Sequence, residues 1–507
     1  MSFALALAVA AASGFIALSY EILWYRVIAF ASWGLPGAFG LLLSAYLFGL
    51  AFGARIAGAF CKDDAKTGDP RQLRLVAGFV LVANVVAWLV IPVFGWTARW
   101  LDWPGALVMV AIAAALLGAI LPLVSHFGIA ADDRAGMNLS YVYLANIVGS
   151  AAGSLLTGFV FLDAMTLARA SAVVGVIGMI LVAALAWVAK YYRGVPVAAA
   201  VVVWLATPSL YDRIWERLMF KAKMTPDTEF AEVIETKSGV ITVTKDDIVY
   251  GGGAYDGKFN TSLRWDKNGI MRAYAVSALS PAPKHMLMIG LASGSWAKVL
   301  GSLPGVEKLT IVEINPGYTT LIERHEEVRS VLHDPKIEVV IDDGRRWLNR
   351  HDERFDVIVQ NTTWHWRAHI TNLLSEEYLE IVRAHLAPGG FFYFNTTSSD
   401  DVQKTAATVF PSAMRVYNFM AVSDAPLVFD KTRWQHVIDL ALDRSEEGAE
   451  DVYAELRDYP DTLNAPPIES GLESRARVLA RTEPATVVTD DNMVPEWRQV
   501  IRFPELH

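Results

Sequence analysis

The residue types that could bind and convert a small molecule gather in the second half of the sequence, around a glycine-rich turn. An apolar run that ends at Gly290 predicts a strand, and the small residues after it, including Ser293 and Gly294, predict a tight turn before a helix that begins near Trp296. Glycine lets a ligand approach the backbone, and the first N–H groups of a helix have no partner within it, so this combination is typical of a nucleotide site. We therefore expect Gly290, Ser293 and Gly294 to contact a nucleotide-like ligand.

Acidic and amide side chains follow the next predicted strands. Glu313 ends the second strand, 23 residues after Gly290, near the spacing at which a carboxylate binds ribose hydroxyls. Asp342 and Asp343 follow the third strand, and Asn361 follows the fourth. Because ligands bind outside the carboxyl ends of parallel strands, these side chains should converge on one crevice. An alternative for Asp342 or Asp343 is that it only caps the next helix.

The composition divides the chain into an apolar half and an ordinary soluble half. Hydrophobic residues make up 53% of the 507 residues and charged residues 19%, yet residues 1–210 are nearly free of charge. The net charge of −9 and the pI of about 5.6 argue against a nucleic-acid partner, which needs clustered Lys and Arg. The single cysteine, Cys61, excludes an intrachain disulfide and a thiolate metal cluster.

Six apolar stretches are long enough to cross a lipid bilayer, where backbone polar groups must be satisfied within the segment. They cover residues 3–28, 35–60, 75–94, 105–129, 141–162 and 167–189. A seventh stretch, residues 195–210, is shorter and contains Pro208, so it spans, re-enters or lies at the interface. The basic loop after the second stretch should be cytoplasmic; its basic residues are Lys62, Lys66, Arg71 and Arg74.

Small and polar residues within the apolar stretches indicate how the helices pack. Glycines four residues apart let two helix backbones approach closely. Two such pairs are Gly49 with Gly53, and Gly149 with Gly153. Asn84 and Asn146 could form hydrogen bonds between helices. The charged Glu21 and Arg26 each need a partner or water.

The order of these motifs resembles the spermidine synthase (aminopropyltransferase) family, in its membrane-fused bacterial form. The resemblance covers most of the chain. It is carried by Tyr20-Glu21-Ile-Leu-Trp24-Tyr-Arg26, residues 144–154, Tyr255-Asp256-Gly257, the Gly290 turn, Glu313, Asp342-Asp343-Gly344 and residues 386–390.

The resemblance implies roles for four residues in binding the nucleoside substrate. Glu313 would hold the ribose, and Asp343 would contact the adenine edge. Asp256 with Asn260 would bind the aminopropyl end of the nucleoside. The same resemblance implies a catalytic domain of the class I methyltransferase and spermidine synthase type.

The chain departs from the family where the amine substrate would bind. Asn268-Gly269-Ile270 stands in place of a Tyr-His-Glu stretch, and Ser293 replaces the acidic residue of the glycine turn. Two catalytic aspartates after the fourth strand are replaced by Asn361 and Trp364. An amide has no useful basicity, and general base catalysis is worth about 10²- to 10⁴-fold, so spermidine synthesis itself is disfavoured.

The replaced loop, residues 361–372, offers other chemistry. The face of Trp364 or Trp366 could attract a sulfonium, His365 or His369 could act as a base, and Arg367 could bind a carboxylate. The alternative is a lid that its aromatic side chains pack against the sheet or the membrane. Two histidines at this spacing also resemble a metal pair, but the sequence provides no third ligand, so no metal is expected.

The predicted architecture is an N-terminal transmembrane α-helical bundle of six or seven helices, followed by a C-terminal α/β Rossmann-like domain with a small β cap. The predicted boundaries are 1–210 for the bundle, 211–284 for a linker and the β cap, and 285–507 for the S-adenosylmethionine-binding catalytic domain. We expect a multi-pass protein of the bacterial inner membrane. The catalytic domain should be cytoplasmic, because its nucleoside substrate is an intracellular metabolite; a homodimer is left open.

The predicted function is a membrane-bound enzyme whose substrate is S-adenosylmethionine or its decarboxylated form. A nucleophile attacks the methylene carbon of the amino-acid arm, and methylthioadenosine leaves. The nucleophile is an external group, as in aminopropyl transfer, or the substrate's own carboxylate, which would give a lactone and needs no base. Two alternatives stay open: a methyltransferase that acts on a lipid or small molecule, and a non-catalytic nucleotide-gated sensor or transporter.

Overall fold

The computed structural model describes residues 1–61, 70–190, 192, 194–266, 268–280, 282–361, 364–442, 448–465 and 471–500. The chain forms two compact units. The first comprises Met1–Trp33, Gly37–Phe230 and Glu235–Gly239, and the second comprises Gly34–Pro36, Ala231–Ile234 and Val240–His507. Lys62 and Lys66 of the basic loop lie outside the described residues.

The first unit consists mainly of helices, which satisfy the backbone polar groups of a long apolar segment from within. Of the described helices, six are long and apolar enough to cross a membrane, or seven if the pair Gly194–Leu210 and Ile214–Lys223, bent by 47°, forms one span. The prediction of six long apolar helices is confirmed, and the seventh stays open. The helices are α1 (Phe3–Ala31), α2 (Gly37–Ala57), α3 (Pro70–Thr97), α4 (Pro104–Gly118), α5 (Ile120–Gly128), α6 (Ala135–Leu156), α7 (Leu162–Ala164), α8 (Leu167–Val188), α9 (Gly194–Leu210) and α10 (Ile214–Phe220).

The small residues of the first unit allow close contact between helix backbones, as their spacing predicts. A Cβ on Gly153 of α6 would overlap the carbonyl oxygen of Phe15 in α1, and a Cβ on Gly53 of α2 would overlap that of Ala115 in α4. Asn146 donates to the carbonyl oxygen of Ala10 at 3.1 Å, which adds a hydrogen bond between α6 and α1. The backbones of these two helix pairs therefore lie against each other without intervening side chains.

The charged and amide residues of the first unit differ in how they are satisfied. Arg26 donates from Nη2 to the carbonyl oxygens of Thr236 at 2.6 Å and Gly239 at 3.0 Å, whereas its buried Nε makes no hydrogen bond to a described residue. Asn84 donates to the carbonyl oxygen of Val80, one turn earlier in α3, and not to another helix among the described residues. This bond stays within one helix because Val80 lies four residues before Asn84, on the same helix face.

Replacing Gly153 by Ala is expected to destabilise the first unit by roughly 1–3 kcal/mol, because the added methyl group overlaps the backbone of α1. The matched control is Gly136→Ala in the same helix, where a Cβ meets no described atom within 4 Å. The measurement is the thermal unfolding temperature of each variant in detergent. Equal temperatures for the two variants would contradict the packing of α1 on α6.

A four-stranded sheet begins the soluble half of the chain. Its strands are β1 (Glu232–Thr236), β2 (Gly239–Val243), β3 (Ile248–Gly251) and β4 (Ala254–Lys258), and they lie side by side in sequence order. The strands β2, β3 and β4 pair antiparallel, as hairpins with short turns do. This sheet corresponds to the predicted β cap and carries Asp256 on β4.

An eight-stranded mixed sheet forms the centre of the second unit. Its strands are β5 (His285–Ile289), β6 (Lys308–Glu313), β7 (Ile337–Ile341), β8 (Phe355–Gln360), β9 (Leu386–Asn395), β10 (Ser412–Val416), β11 (Phe419–Ser423) and β12 (Leu472–Ser474). The spatial order is β12-β10-β11-β9-β8-β5-β6-β7. Strands β7, β6, β5, β8 and β9 are parallel, and the chain order reverses between β5 and β8. The predicted Rossmann-like fold is confirmed, and such a reversal is where ligands bind.

Both faces of this sheet are buried, which explains why its strands are continuous apolar runs rather than alternating ones. On β5, Met286 and Met288 belong to one hydrophobic core, whereas Leu287 and Ile289 belong to a second. The helices of the second unit are α11 (Met271–Tyr274), α12 (Val276–Leu279), α13 (Ser295–Ser302), α14 (Gly317–Arg324), α15 (Glu326–Arg329), α16 (Gly344–Leu348), α17 (Glu376–Ala384), α18 (Asp400–Val409), α19 (Lys431–Ala441), α20 (Ala449–Asp458), α21 (Arg475–Arg481) and α22 (Val494–Val500).

Candidate functional site

The turn between β5 and α13 requires glycine at two positions for different reasons. Gly290 has φ +89°, and a Cβ there would have only the carbonyl oxygen of Asn361 within 4 Å, at 3.9 Å. Gly294 has φ +76° and caps α13, and a Cβ there would lie 2.8 Å from Cδ1 of Ile322. The space beside Gly290 is thus open to a ligand, as the sequence predicts, whereas Gly294 is needed for the turn and for packing.

The Glu313 carboxylate joins the end of β6 to the glycine turn. Its Oε2 accepts a hydrogen bond from the N–H of Leu291 and its Oε1 accepts one from the N–H of Asn315, each at 2.7 Å. Burial raises the pKa of Glu313 to about 7, although these hydrogen bonds act in the opposite direction. Each carboxylate oxygen accepts two bonds in favourable geometry, so the predicted ribose contact remains compatible with these two.

The aspartates after β7 are held by the helix that follows. Asp343 caps α16, since its Oδ1 accepts from the N–H of Arg346 at 2.8 Å. Asp342 accepts from the N–H of Asp343 at 2.7 Å and forms an ion pair with the Arg346 guanidinium. The capping role considered from the sequence therefore describes Asp343, and its contact with adenine stays a prediction.

A cavity of about 330 Å³ lies beside the carboxyl end of β8. Three of the predicted site residues line it: Asp256, Asn361 and Trp364. Tyr255 and Asn268, which belong to stretches named in the sequence analysis, also line it. Other lining residues were not singled out from the sequence, among them Arg272, Asn395, Thr397 and Asn418. A second cavity of about 460 Å³, lined by Asp266, Tyr417 and Glu455 among others, shares Arg272 and Asn418 with the first.

Asp256 belongs to a buried cluster with Tyr318 and Arg367. The Tyr318 hydroxyl donates a hydrogen bond to Oδ2 of Asp256. Burial raises the pKa of Asp256, whereas the Tyr318 hydrogen bond and the positive charge of Arg367 act to lower it. Arg367 therefore provides charge balance for a carboxylate of the protein, in addition to any role toward a ligand.

The loop after β8 separates its predicted residues. The rings of Trp364 and Trp366 stack with centroids 6.2 Å apart; Trp366 is buried, and Trp364 faces the cavity. The His365 ring bonds through Nδ1 to Oγ1 of Thr397 at 2.6 Å, and burial lowers the pKa of His365 to about 4. The backbone of His369 donates to Glu496 at 3.0 Å.

Neither histidine lines the cavity, although Thr397, the partner of His365, does. A base with a pKa near 4 removes a proton from an ammonium group only weakly, so the ring of His365 is poorly suited to that role. Residues 362 and 363 of the loop lie outside the described residues.

Asn260 and Ser293 also do not line this cavity. Asn260 donates to the carbonyl oxygen of Trp265 at 2.9 Å and accepts from the N–H of Ser262 at 3.0 Å, so its amide stabilises its own loop. Ser293 is buried, and its hydroxyl donates to Oγ of Ser295 at 3.3 Å. Their predicted contacts with the nucleoside stay predictions.

An arginine and three amides form a chain of hydrogen bonds along the cavity. Arg272 Nη1 donates to Oδ1 of Asn418 at 2.6 Å, and Asn418 Nδ2 donates to Oδ1 of Asn395 at 2.8 Å. Asn395 Nδ2 in turn donates to Oδ1 of Asn361 at 3.2 Å. Asn395 ends β9, so it lies at the carboxyl end of a parallel strand, where ligands are expected to bind. Arg272 and Asn418 belong to no motif that the sequence analysis identified.

Comparison with protein families gives a match to the spermine/spermidine synthase domain over residues 271–422. Polyamine aminopropyltransferase 1 of Streptomyces coelicolor is 22% identical over 349 residues, which cover 63% of this chain and 64% of that protein. Polyamine aminopropyltransferase 2 of Ralstonia nicotianae is 24% identical over 406 residues, which cover 75% of this chain and 76% of that protein.

Other similar proteins match over shorter lengths. The polyamine aminopropyltransferase of Desulforudis audaxviator is 28% identical over 141 residues, which cover 26% of this chain and 51% of that protein. The chain thus spans less than two thirds of the Streptomyces and Desulforudis proteins. The crystal structure of spermidine synthase from Thermotoga maritima aligns with a TM-score of 0.35 and 19% identity, covering 43% of this chain and 79% of that one.

Replacing Glu313 by Gln is expected to weaken the binding of methylthioadenosine by about 10- to 100-fold, because ribose hydroxyls bond more strongly to a carboxylate than to an amide. With a pKa of about 7, wild-type Glu313 becomes ionised as the pH rises from 6 to 8, so wild-type affinity should rise over this interval and that of the variant should not. Calorimetric titration measures both. The control is Glu323→Gln, which removes a surface carboxylate paired with Arg329; a pH-independent wild type would contradict the assignment.

Proposed function

We propose that this chain is a member of the spermine/spermidine synthase family and acts as a membrane-bound transferase. In this proposal it releases methylthioadenosine from S-adenosylmethionine or its decarboxylated form. A nucleophile attacks the methylene carbon beside the sulfonium, the carbon–sulfur bond breaks, and its electron pair leaves with sulfur. The observation that carries the proposal lies at the carboxyl end of the parallel strands, where the Glu313 carboxylate binds the glycine turn and Gly290 lies beside Asn361, which lines a cavity.

The two parts of the crevice suit the two ends of the substrate. The open space beside Gly290, next to Glu313, suits a ribose with two hydroxyl donors. The cavity that Asn361 lines has room for a short amino-acid arm, since about 330 Å³ lies at the small end of ligand pockets. In this arrangement the sulfonium lies between the turn and the cavity, near the face of Trp364.

The chemistry of the cavity favours a nucleophile that needs little help from a base. Among the described residues that line it, Asp256 is the one carboxylate, and it accepts the hydrogen bond of Tyr318. Asn361 has no basicity, and His365 has a pKa of about 4. An anionic nucleophile or the substrate's own carboxylate fits these conditions better than a protonated amine.

The six long apolar helices support placement in the bacterial inner membrane, with the catalytic domain on the cytoplasmic side, where the nucleoside substrate is made. A reporter fused to the C-terminus that is active only in the cytoplasm tests this orientation. Activity of a periplasmic reporter at the same position would reverse it.

The product identifies the reaction. We expect detergent-purified protein, incubated with S-adenosylmethionine or its decarboxylated form, with and without putrescine, to release methylthioadenosine. Mass spectrometry of the nucleoside product is the measurement. S-Adenosylhomocysteine would instead establish a methyltransferase, and binding without any product would establish a sensor or transporter.

Replacing Asn361 by Asp is expected to raise putrescine-dependent release of methylthioadenosine by at least about 10-fold, because a carboxylate at this position can accept the amine's proton. The amide and the carboxylate have the same shape, so the hydrogen bond from Asn395 is retained. The control is Asn349→Asp on the exposed end of α16. An unchanged rate for the Asn361 variant would show that the missing base does not limit amine transfer.

A further inference from the structure

We infer that the cavity binds the α-carboxylate of the nucleoside substrate through Arg272, so that the enzyme selects S-adenosylmethionine over its decarboxylated form. This inference rests on the proposed function and names the substrate that it leaves open. It is carried by the charge and the hydrogen-bond directions of the side chains around the cavity.

Arg272 is the cation of this cavity that lacks a hydrogen-bonded carboxylate partner among the described residues. The positive charge of Arg367 offsets the negative charge of Asp256, and Tyr318 donates a hydrogen bond to Asp256. Asp266 attracts Arg272, but its own oxygens accept the backbone N–H groups of Asn268, Ile270 and Met271. An anion in the cavity would therefore complete a charge pair that the protein itself leaves incomplete.

The Arg272 guanidinium is held in one orientation. Nε donates to the carbonyl oxygen of Gly269 at 2.9 Å, Nη2 to that of Asn268 at 3.0 Å, and Nη1 to Asn418. Its Cζ atom also lies 5.0 Å from the ring centroid of Phe419. A guanidinium carries five N–H groups, so one on each Nη remains for a ligand, and two such groups match the two oxygens of a carboxylate.

The amide oxygens around the cavity accept hydrogen bonds from the protein itself. The side-chain oxygens of Asn418, Asn395 and Asn361 each accept a bond from the preceding member of the chain that starts at Arg272. The oxygen of Asn268 accepts the hydroxyl of Tyr255 at 2.8 Å. The NH₂ group of Asn361, which lines the cavity, donates to no described residue. N–H donors suit a carboxylate and not the ammonium groups of a diamine.

The transferred group follows from this substrate. When the carbon–sulfur bond breaks, methylthioadenosine leaves with the electron pair, and the methylene carbon bonds to the nucleophile. The group transferred is then 3-amino-3-carboxypropyl, and a proton leaves the nucleophile if it carried one. Arg272 would stabilise the carboxylate as a bound anion throughout.

Equilibrium binding of three nucleosides tests the inference: S-adenosylmethionine, its decarboxylated form and methylthioadenosine, which lacks the arm. We expect wild-type protein to bind S-adenosylmethionine at least about 10-fold more tightly than the decarboxylated form. In Arg272→Gln, affinity for S-adenosylmethionine should fall by about 10- to 100-fold, and affinity for methylthioadenosine should stay within twofold. Arg329→Gln, which removes an exposed arginine paired with Glu323, is the matched control and should change neither.

A second variant distinguishes loss of the carboxylate contact from loss of the fold. It is needed because Arg272 also stabilises its own loop. Asn418→Asp keeps the shape of the side chain but places a carboxylate against Arg272, so it should abolish the preference for S-adenosylmethionine while methylthioadenosine still binds. The inference is overturned if the wild type binds the decarboxylated form equally well or better, or if Asn418→Asp keeps the full preference. Failure of the proposed function differs from both, since methylthioadenosine would then neither bind nor be released.

Discussion

The carboxylate of Glu313 fixes the position of the glycine turn, and the rest of the crevice depends on that position. Its Oε2 accepts the backbone N–H of Leu291 in the turn after β5, and its Oε1 accepts that of Asn315, two residues further along the chain, so the carboxylate links the end of β6 to the glycine turn. Hydrogen bonds to a charged group contribute about 1.5–3 kcal/mol each, whereas burial of the carboxylate opposes them and raises the pKa of Glu313 to about 7. The same group thus serves the fold and the proposed ribose contact.

Charge is distributed unevenly between the two ends of the crevice. The end at Glu313 is acidic and suits hydroxyl donors. The end at Arg272 is rich in N–H donors. Arg272 donates a hydrogen bond to Asn418, Asn418 donates to Asn395, and Asn395 donates to Asn361. Asp256 does not reverse this polarity, since Tyr318 and Arg367 surround it. A molecule with hydroxyls at one end and a carboxylate at the other fits both.

The sequence predicts the parts of this molecule that follow from local pattern. Apolar length predicts the six long helices, and the apolar run before Gly290, with polar residues at successive strand ends, predicts the parallel sheet. Side-chain direction is harder to predict from the sequence. Asp343 lies at the predicted strand end but caps α16, and His365 lies in the predicted loop but bonds to Thr397.

Residues brought together only by the tertiary fold have no local signal. Arg272 and Asn418 are 146 residues apart and belong to no motif. They are nevertheless hydrogen-bonded to each other, and both residues line both cavities. A molecule in either cavity that displaces this pair changes the free energy of binding in the other. Thermodynamic linkage makes such an effect mutual: each occupant alters the affinity of its neighbour by the same factor.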